Sequence, residues 1–313
     1  MIDRPRIRIT TTLPRLAWQA VAMASLACWI ATGSSILQDA AAQDAVSSSL
    51  DAAAQGGALQ VYPLDVTLNK EGNAFVADRS LHGVWQWKDE KLSILFEGSP
   101  KFRTPLNAAY SIATDVDGTL LVGDSATREV YRIGDDAVPK PITGGKIGIP
   151  IDIAVKSDGT IYVADLELRR LVRIPAGTGD VEAVASVNPR GVFADHQDRV
   201  WVVSQNPQQL LMVSDAGEVT AIVKERTFEF PHQVVVNRAG EAFVTDGYKK
   251  AIWRVKPGAA AEVFSSGAPL DGPVGIALDA NDQLVVVDPR AQAVFRIDAD
   301  GKAEEWFKIQ KSK

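Results

Sequence analysis

A short apolar strand ending in aspartate recurs six times after residue 62, and this repetition constrains the fold more than any other feature of the chain. The copies are Phe75-Val76-Ala77-Asp78, Leu121-Val122-Gly123-Asp124, Tyr162-Val163-Ala164-Asp165, Trp201-Val202-Val203-Ser204, Phe243-Val244-Thr245-Asp246 and Val285-Val286-Val287-Asp288, spaced by 46, 41, 39, 42 and 42 residues. A period near 40 belongs to propellers, solenoids or arrays. Fixed offsets choose among them. Thirteen residues before the final position of each copy stand Asp65, Ser111, Asp152, Gly191, Gln233 and Gly275, and in five copies a proline lies two residues earlier: Pro63, Pro150, Pro189, Pro231 and Pro273. Alternating apolar residues follow, such as Ile153/Val155 and Val234/Val236, as a half-buried strand requires. Six residues before the final position, Gly72, Gly118, Gly159, Asp198, Gly240 and Asp282 can take the backbone of a hairpin turn. Each copy closes with two more apolar runs, four short strands in all. Six such copies without a helical period predict an all-β chain, a six-bladed β-propeller of four-stranded blades.

The motif Pro-x-[Gly/Asp]-apolar-x-apolar, a turn glycine, Val-x-Asp and a later arginine (Arg132, Arg173, Arg254, Arg296) resembles the NHL repeat, within the broader group of gluconolactonase-like six-bladed propellers. The resemblance spans residues 62–313 and implies the fold. It leaves function open, because that group holds both enzymes and non-catalytic binding platforms.

The residues ahead of the repeats read differently. Arg4, Arg6, Arg8 and Arg15 precede an uncharged, mostly apolar stretch from Leu16 to Leu37, and Ala40-Ala41-Ala42 supplies the small residues of a cleavage site. The pattern predicts a signal peptide over residues 1–42 and a periplasmic or secreted protein. An uncleaved membrane anchor and lipidation at Cys28 are the alternatives, and contact with a membrane is expected only if the segment stays. Residues 43–58 are small and polar and read as a flexible linker to a propeller over residues 59–313. Export would remove four arginines, two aspartates and Cys28, which takes the net charge from −6 to −8 and leaves no cysteine. Such an acidic balance argues against nucleic-acid binding.

In this architecture the residue after each motif proline reaches the mouth of the central channel, where ring-shaped folds bind ligands. Read in order, that position holds Leu64, Tyr110, Ile151, Arg190, His232 and Val274. The gluconolactonase-like resemblance implies carboxylate and asparagine ligands for a divalent cation at such positions, and the amidating-lyase relatives within the group imply three Pro-His motifs on zinc. Here the ring has no carboxylate, and Pro231-His232-Gln233 is the single Pro-His copy, with His82 and His196 placed in loops. No metal and no cofactor are therefore expected. Tyr110, Arg190 and His232 become the candidate ligand-binding residues, with Arg190 suited to a carboxylate or phosphate. Both Arg190 and His232 are equally open to a purely structural role, bonded to a neighbouring blade or loop.

The repeated aspartates Asp78, Asp124, Asp165, Asp246 and Asp288 suit a side chain that binds the amides of its own turn. Asp65 and Asp152 are expected to face into their blades. Loops on the mouth side carry Arg79, Arg128, Arg169, Arg170, Lys249, Lys250 and Arg290 against Glu129 and Glu167, so an acidic chain is expected to present one basic face. Blade 4 departs most from the repeat, with Ser204 for aspartate and Met212 for arginine. The expectation is a non-catalytic platform that binds an anionic small molecule, glycan or protein at the mouth. The rival is a lactonase or hydrolase whose metal site is divergent or lost.

Overall fold

The computed structural model describes residues 61–101 and 103–310. The expected signal segment and linker lie outside the described residues, and among those described no helix is long and apolar enough to cross a membrane. The strands form six four-stranded antiparallel sheets, each built from consecutive strands A to D of one repeat. The innermost strands A are Pro63–Leu68, Ala109–Thr114, Pro150–Val155, Pro189–Ala194, Pro231–Val236 and Gly275–Leu278. The A–B hairpins turn where the sequence places them: Gly72, Gly118, Gly159 and Gly240 have φ between 80° and 87°, and Asp198 and Asp282 adopt 58° and 63°.

The core lies between the sheets rather than within them. Among the described residues it divides into six apolar clusters, each combining side chains of two neighbouring blades. One joins Val192, Val202 and Leu211 of blade 4 to Ile151, Tyr162 and Leu171 of blade 3. A single repeat therefore has nothing to bury its faces against, and closure of the ring is what stabilises each blade. Among the described residues no strand is exchanged between the first and last blades. That junction is packed with apolar side chains: Val61, Val66 and Trp85 meet Val285, Val294, Phe307 and Ile309, and the Trp87 ring stacks on Phe307 at 4.4 Å.

The repeated aspartates hold the mouth side of each blade, as their turn-binding role requires. Asp124 accepts amide hydrogens from Ala126 and Thr127 in the following turn and also from Asn107 and Ala108, which lead into strand A. Asp288 does the same for Asp271, Gly272, Arg290 and Ala291. One buried carboxylate thus ties together two loops of the mouth face. In blade 4, where Ser204 replaces the aspartate, its hydroxyl accepts from Asn206 in the following turn, and Gln209 accepts from Thr227 and Phe228, which lead into blade 5.

Asp65 and Asp152 do not face into their blades. They belong to a ring at the waist of the channel that links neighbouring blades. Asp65 accepts from its own Val66 amide and from Ile112 of blade 2, both at 2.8 Å. Ser111 donates to the Pro150 carbonyl of blade 3 at 3.0 Å, and Asp152 accepts from Val192 of blade 4 at 2.7 Å. Gln233 of blade 5 donates to Asp152 and accepts from Ile276 of blade 6. The remaining two ring positions are glycines because the next blade comes too close for a side chain: a Cβ on Gly191 would lie 2.7 Å from Gln233 Cα, and one on Gly275 would lie 2.7 Å from Asp65 Cα. Strands A are the innermost elements, so each of these two carboxylates bonds one amide of its own strand and one of the adjacent blade.

Candidate functional site at the channel mouth

The motif proline has a local purpose that explains what stands after it. In blades 1 to 5 the pairing of strands A and B slips by one residue at this point, between Pro63 and Asp65, Ala109 and Ser111, Pro150 and Asp152, Pro189 and Gly191, and Pro231 and Val234. Such a bulge leaves an extra residue outside the ladder and re-aims its side chain. Proline, lacking an N–H, is tolerated at a bulge, and in four of these blades it is the last paired residue before the slip. The bulge residues Leu64, Tyr110, Ile151, Arg190 and His232, with Val274 from blade 6, all line one cavity of about 130 Å³ at the mouth, together with Tyr62, Arg79 and Gln233. Sequence reasoning did not place Tyr62 there. It comes from the segment entering strand A, which carries no motif. A second cavity of about 220 Å³ continues below the waist and is lined by the later residues of strands A.

Two features distinguish the mouth cavity. It contains no carboxylate among its lining residues, and its central cation is unspent. Arg190 is half-buried, and its guanidinium makes no hydrogen bond or ion pair among the described residues, with Nε enclosed and unsatisfied. The Phe230 ring lies 5.3 Å from the Arg190 guanidinium carbon and meets the His232 ring edge-on at 5.1 Å. Burial lowers the Arg190 pKa, yet a guanidinium stays charged. Burial also raises the pKa of the Tyr110 phenol, so it remains a donor. His232 is pushed down to about 4, first by burial and second by the Arg190 charge, so its imidazole is neutral at pH 7. The B–C turn of blade 5 passes tightly behind this ring: a Cβ on Gly247 would come within 2.9 Å of His232 Nε2.

This set of donors does not fit a metal. One imidazole and two phenols are neither a zinc tetrad nor an oxygen cage, and among the described residues no group of three His, Cys, Asp or Glu gathers anywhere. A desolvated cation with phenolic donors around it fits an anion instead.

The loop cations are less free than the loops alone suggest. Arg128 pairs with Glu167 at 2.6 Å, Arg170 with Asp165 at 3.1 Å and Lys249 with Glu229 at 3.2 Å, while Lys250 pairs with Asp271 and Arg290 donates to the Asp271 carbonyl. The expected unopposed basic face is thus partly neutralised. Glu229 and Asp271 sit on the segments entering strand A, which share the mouth face with the B–C loops. Of the six, Arg169 has no side-chain partner among the described residues; with Arg128 and Lys250 it occupies the left-handed position of its B–C turn, φ 50° to 58°. At the cavity itself the cations are Arg190 and Arg79.

A sequence model of the virginiamycin B lyase family matches residues 100–313. Among curated proteins, peptidyl-glycine alpha-amidating monooxygenase B of Xenopus laevis is 25% identical over 232 residues, covering 62% of this chain and 26% of its own length. The chain spans about a quarter of that relative. Among solved structures, virginiamycin B lyase of Staphylococcus aureus aligns with a TM-score of 0.60 at 15% identity, over 80% of this chain and 85% of its own. A gluconolactonase of Xanthomonas campestris aligns at 0.61 and 14% identity, over 73% and 84%. At such identities the structural likeness speaks for the six-bladed propeller fold alone. The family match, which covers more than half of the residues, is what assigns it: the chain belongs to the virginiamycin B lyase family.

Proposed function

We propose that this is an exported propeller whose channel mouth acts as a non-catalytic binding site for an anionic small molecule. The observation that carries this reading is the Arg190 guanidinium, half-buried, with no hydrogen-bond or ion-pair partner among the described residues, in a cavity without a carboxylate. Holding a charge out of water without a counter-ion costs free energy, and an anionic ligand would return it. Tyr110 and Tyr62 add phenols, and neutral His232 adds one ring N–H and one acceptor. The test is calorimetric titration with acetate, phosphate and larger carboxylates. Arg190→Ala should weaken the bound anion by about 1.5–3 kcal/mol, the usual scale for a hydrogen bond to a charged group. Binding that ignores this substitution would place the ligand elsewhere. For export, N-terminal sequencing of the native protein should begin at Gln43; a membrane-bound form that retains Met1 would refute it.

One observation favours a second reading. A neutral, accessible imidazole can take a proton, and a solved Staphylococcus aureus virginiamycin B lyase with one histidine replaced by alanine is described as catalytically inactive, in complex with quinupristin. On this reading His232 serves as a base in a lyase. Turnover of a streptogramin by the purified chain, lost in His232→Ala, would support it over simple binding. The lactonase alternative has less behind it, since the mouth offers no carboxylate to hold a cation.

A further inference from the structure

We infer that the mouth site takes a small monocarboxylate with an apolar, preferably aromatic, body, and discriminates against polyol acids. This rests on the anion-binding reading and adds the nature of the ligand's uncharged part. The cavity's uncharged lining is aliphatic on three blades, Leu64 of blade 1, Ile151 of blade 3 and Val274 of blade 6, and aromatic at Tyr62 and Tyr110. A sugar acid brings several hydroxyl donors into such a space, and the acceptors there are few. The Gln233 carbonyl is occupied by the Ile276 amide, which leaves the His232 ring and the two phenols. Unmet hydroxyls cost as much as a good contact gains. An apolar body has no such debt.

The rim continues the same chemistry. Phe230 is 40% exposed although its ring already borders both Arg190 and His232. Tyr248 is 70% exposed and sits in the neighbouring turn, and Asp246 accepts from both the Phe230 and Lys249 amides, so one carboxylate fixes the two segments that carry these rings. Large aromatics left in water beside a desolvated cation form a surface for a ligand that is apolar next to its charge. The carboxylate would meet Arg190 with Tyr110, and the body would lie between the aliphatic wall and Phe230.

The experiment is titration of the full chain with phenylacetate, acetate, gluconate, phenyl phosphate and 2-phenylethanol. The expected order places phenylacetate at least tenfold tighter than acetate and gluconate, with 2-phenylethanol too weak to measure. Phe230→Ala should reduce the phenylacetate-to-acetate affinity ratio to about twofold, the ratio being the readout because the ring also borders Arg190; Tyr248→Ala, at a more exposed position, should reduce that ratio by a smaller factor and serves if the first variant does not fold. Gluconate binding as tightly as phenylacetate, through Arg190, overturns this inference and leaves anion binding intact. Tighter binding of phenyl phosphate overturns the carboxylate head. Failure of every anion to bind in an Arg190-dependent way overturns both readings.

Discussion

Replacing His232 with glutamine should make the stability of the protein respond differently to acid, and the size of the difference follows from the site. In the native state the imidazole titrates at about 4 against 6.5 when free, because burial and the adjacent Arg190 charge both oppose a second positive charge. A lowered native pKa means that the unfolded chain takes up a proton first as pH falls. Stability is therefore fully present above 6.5 and is lost as pH falls from 6.5 towards 4. Integrating the two titrations gives a loss of about 2 kcal/mol by pH 5 and about 3 kcal/mol by pH 4 that is due to this one ring. Urea unfolding of wild type and His232→Gln at pH 7.5, 6 and 5 isolates the quantity, because every other titrating group contributes to both proteins. The wild-type advantage should shrink by about 2 kcal/mol between pH 7.5 and 5. A difference that does not change with pH, or an imidazole NMR titration near 6.5, would show that the ring is solvated and that the mouth is not the desolvated cavity described here.

Three further outcomes follow from the same geometry. Arg190→Met should raise the melting temperature of the ligand-free protein by about 2–4 °C, the shift that 1 kcal/mol produces in a chain of this size, while abolishing anion binding; a lower melting temperature would mean that the guanidinium has a stabilising partner. Gly247→Ala should weaken ligand binding without unfolding the protein, since the added methyl presses on the movable His232 ring at 2.9 Å and meets the Pro273 carbonyl only at 3.4 Å, and unchanged affinity by calorimetry would place the ligand away from that ring. At the waist, Asp65 is raised to about 7 by burial and Asp152 is raised by burial and by the Asp65 charge. A raised native pKa makes the unfolded state lose its proton first, so this pair's contribution is full below the unfolded value near 3.8 and is lost as pH rises through 7. Asp65→Asn should flatten that fall between pH 5 and 8 in urea unfolding, and an unaltered slope would count against a raised Asp65 pKa.

The sequence by itself determined the number of blades, the order of strands within them and the turn-binding aspartates, because each depends on local chemistry repeated at fixed spacing: alternation makes the strand, glycine or aspartate makes the hairpin, and a carboxylate finds amides within its own turn. It also marked the position after the motif proline, and the structure brings Leu64, Tyr110, Ile151, Arg190, His232 and Val274 to one cavity. What it could not convey was why that position points inward, since a bulge is a property of two strands in register and not of one. The waist ring was misread for a related reason. Asp65 and Asp152 look like residues facing into their own blades until the neighbouring strand A supplies a second amide across a junction, 47 residues away for Ile112 and 40 for Val192. The basic face is partly neutralised for a related reason, because Glu229 and Asp271 lie outside the B–C loops and meet Lys249 and Lys250 only when the segments entering strands A fold beside those loops. Repetition is legible in one dimension, whereas the electrostatics of a channel depend on which charges closure brings together and which, like Arg190, it leaves without a partner.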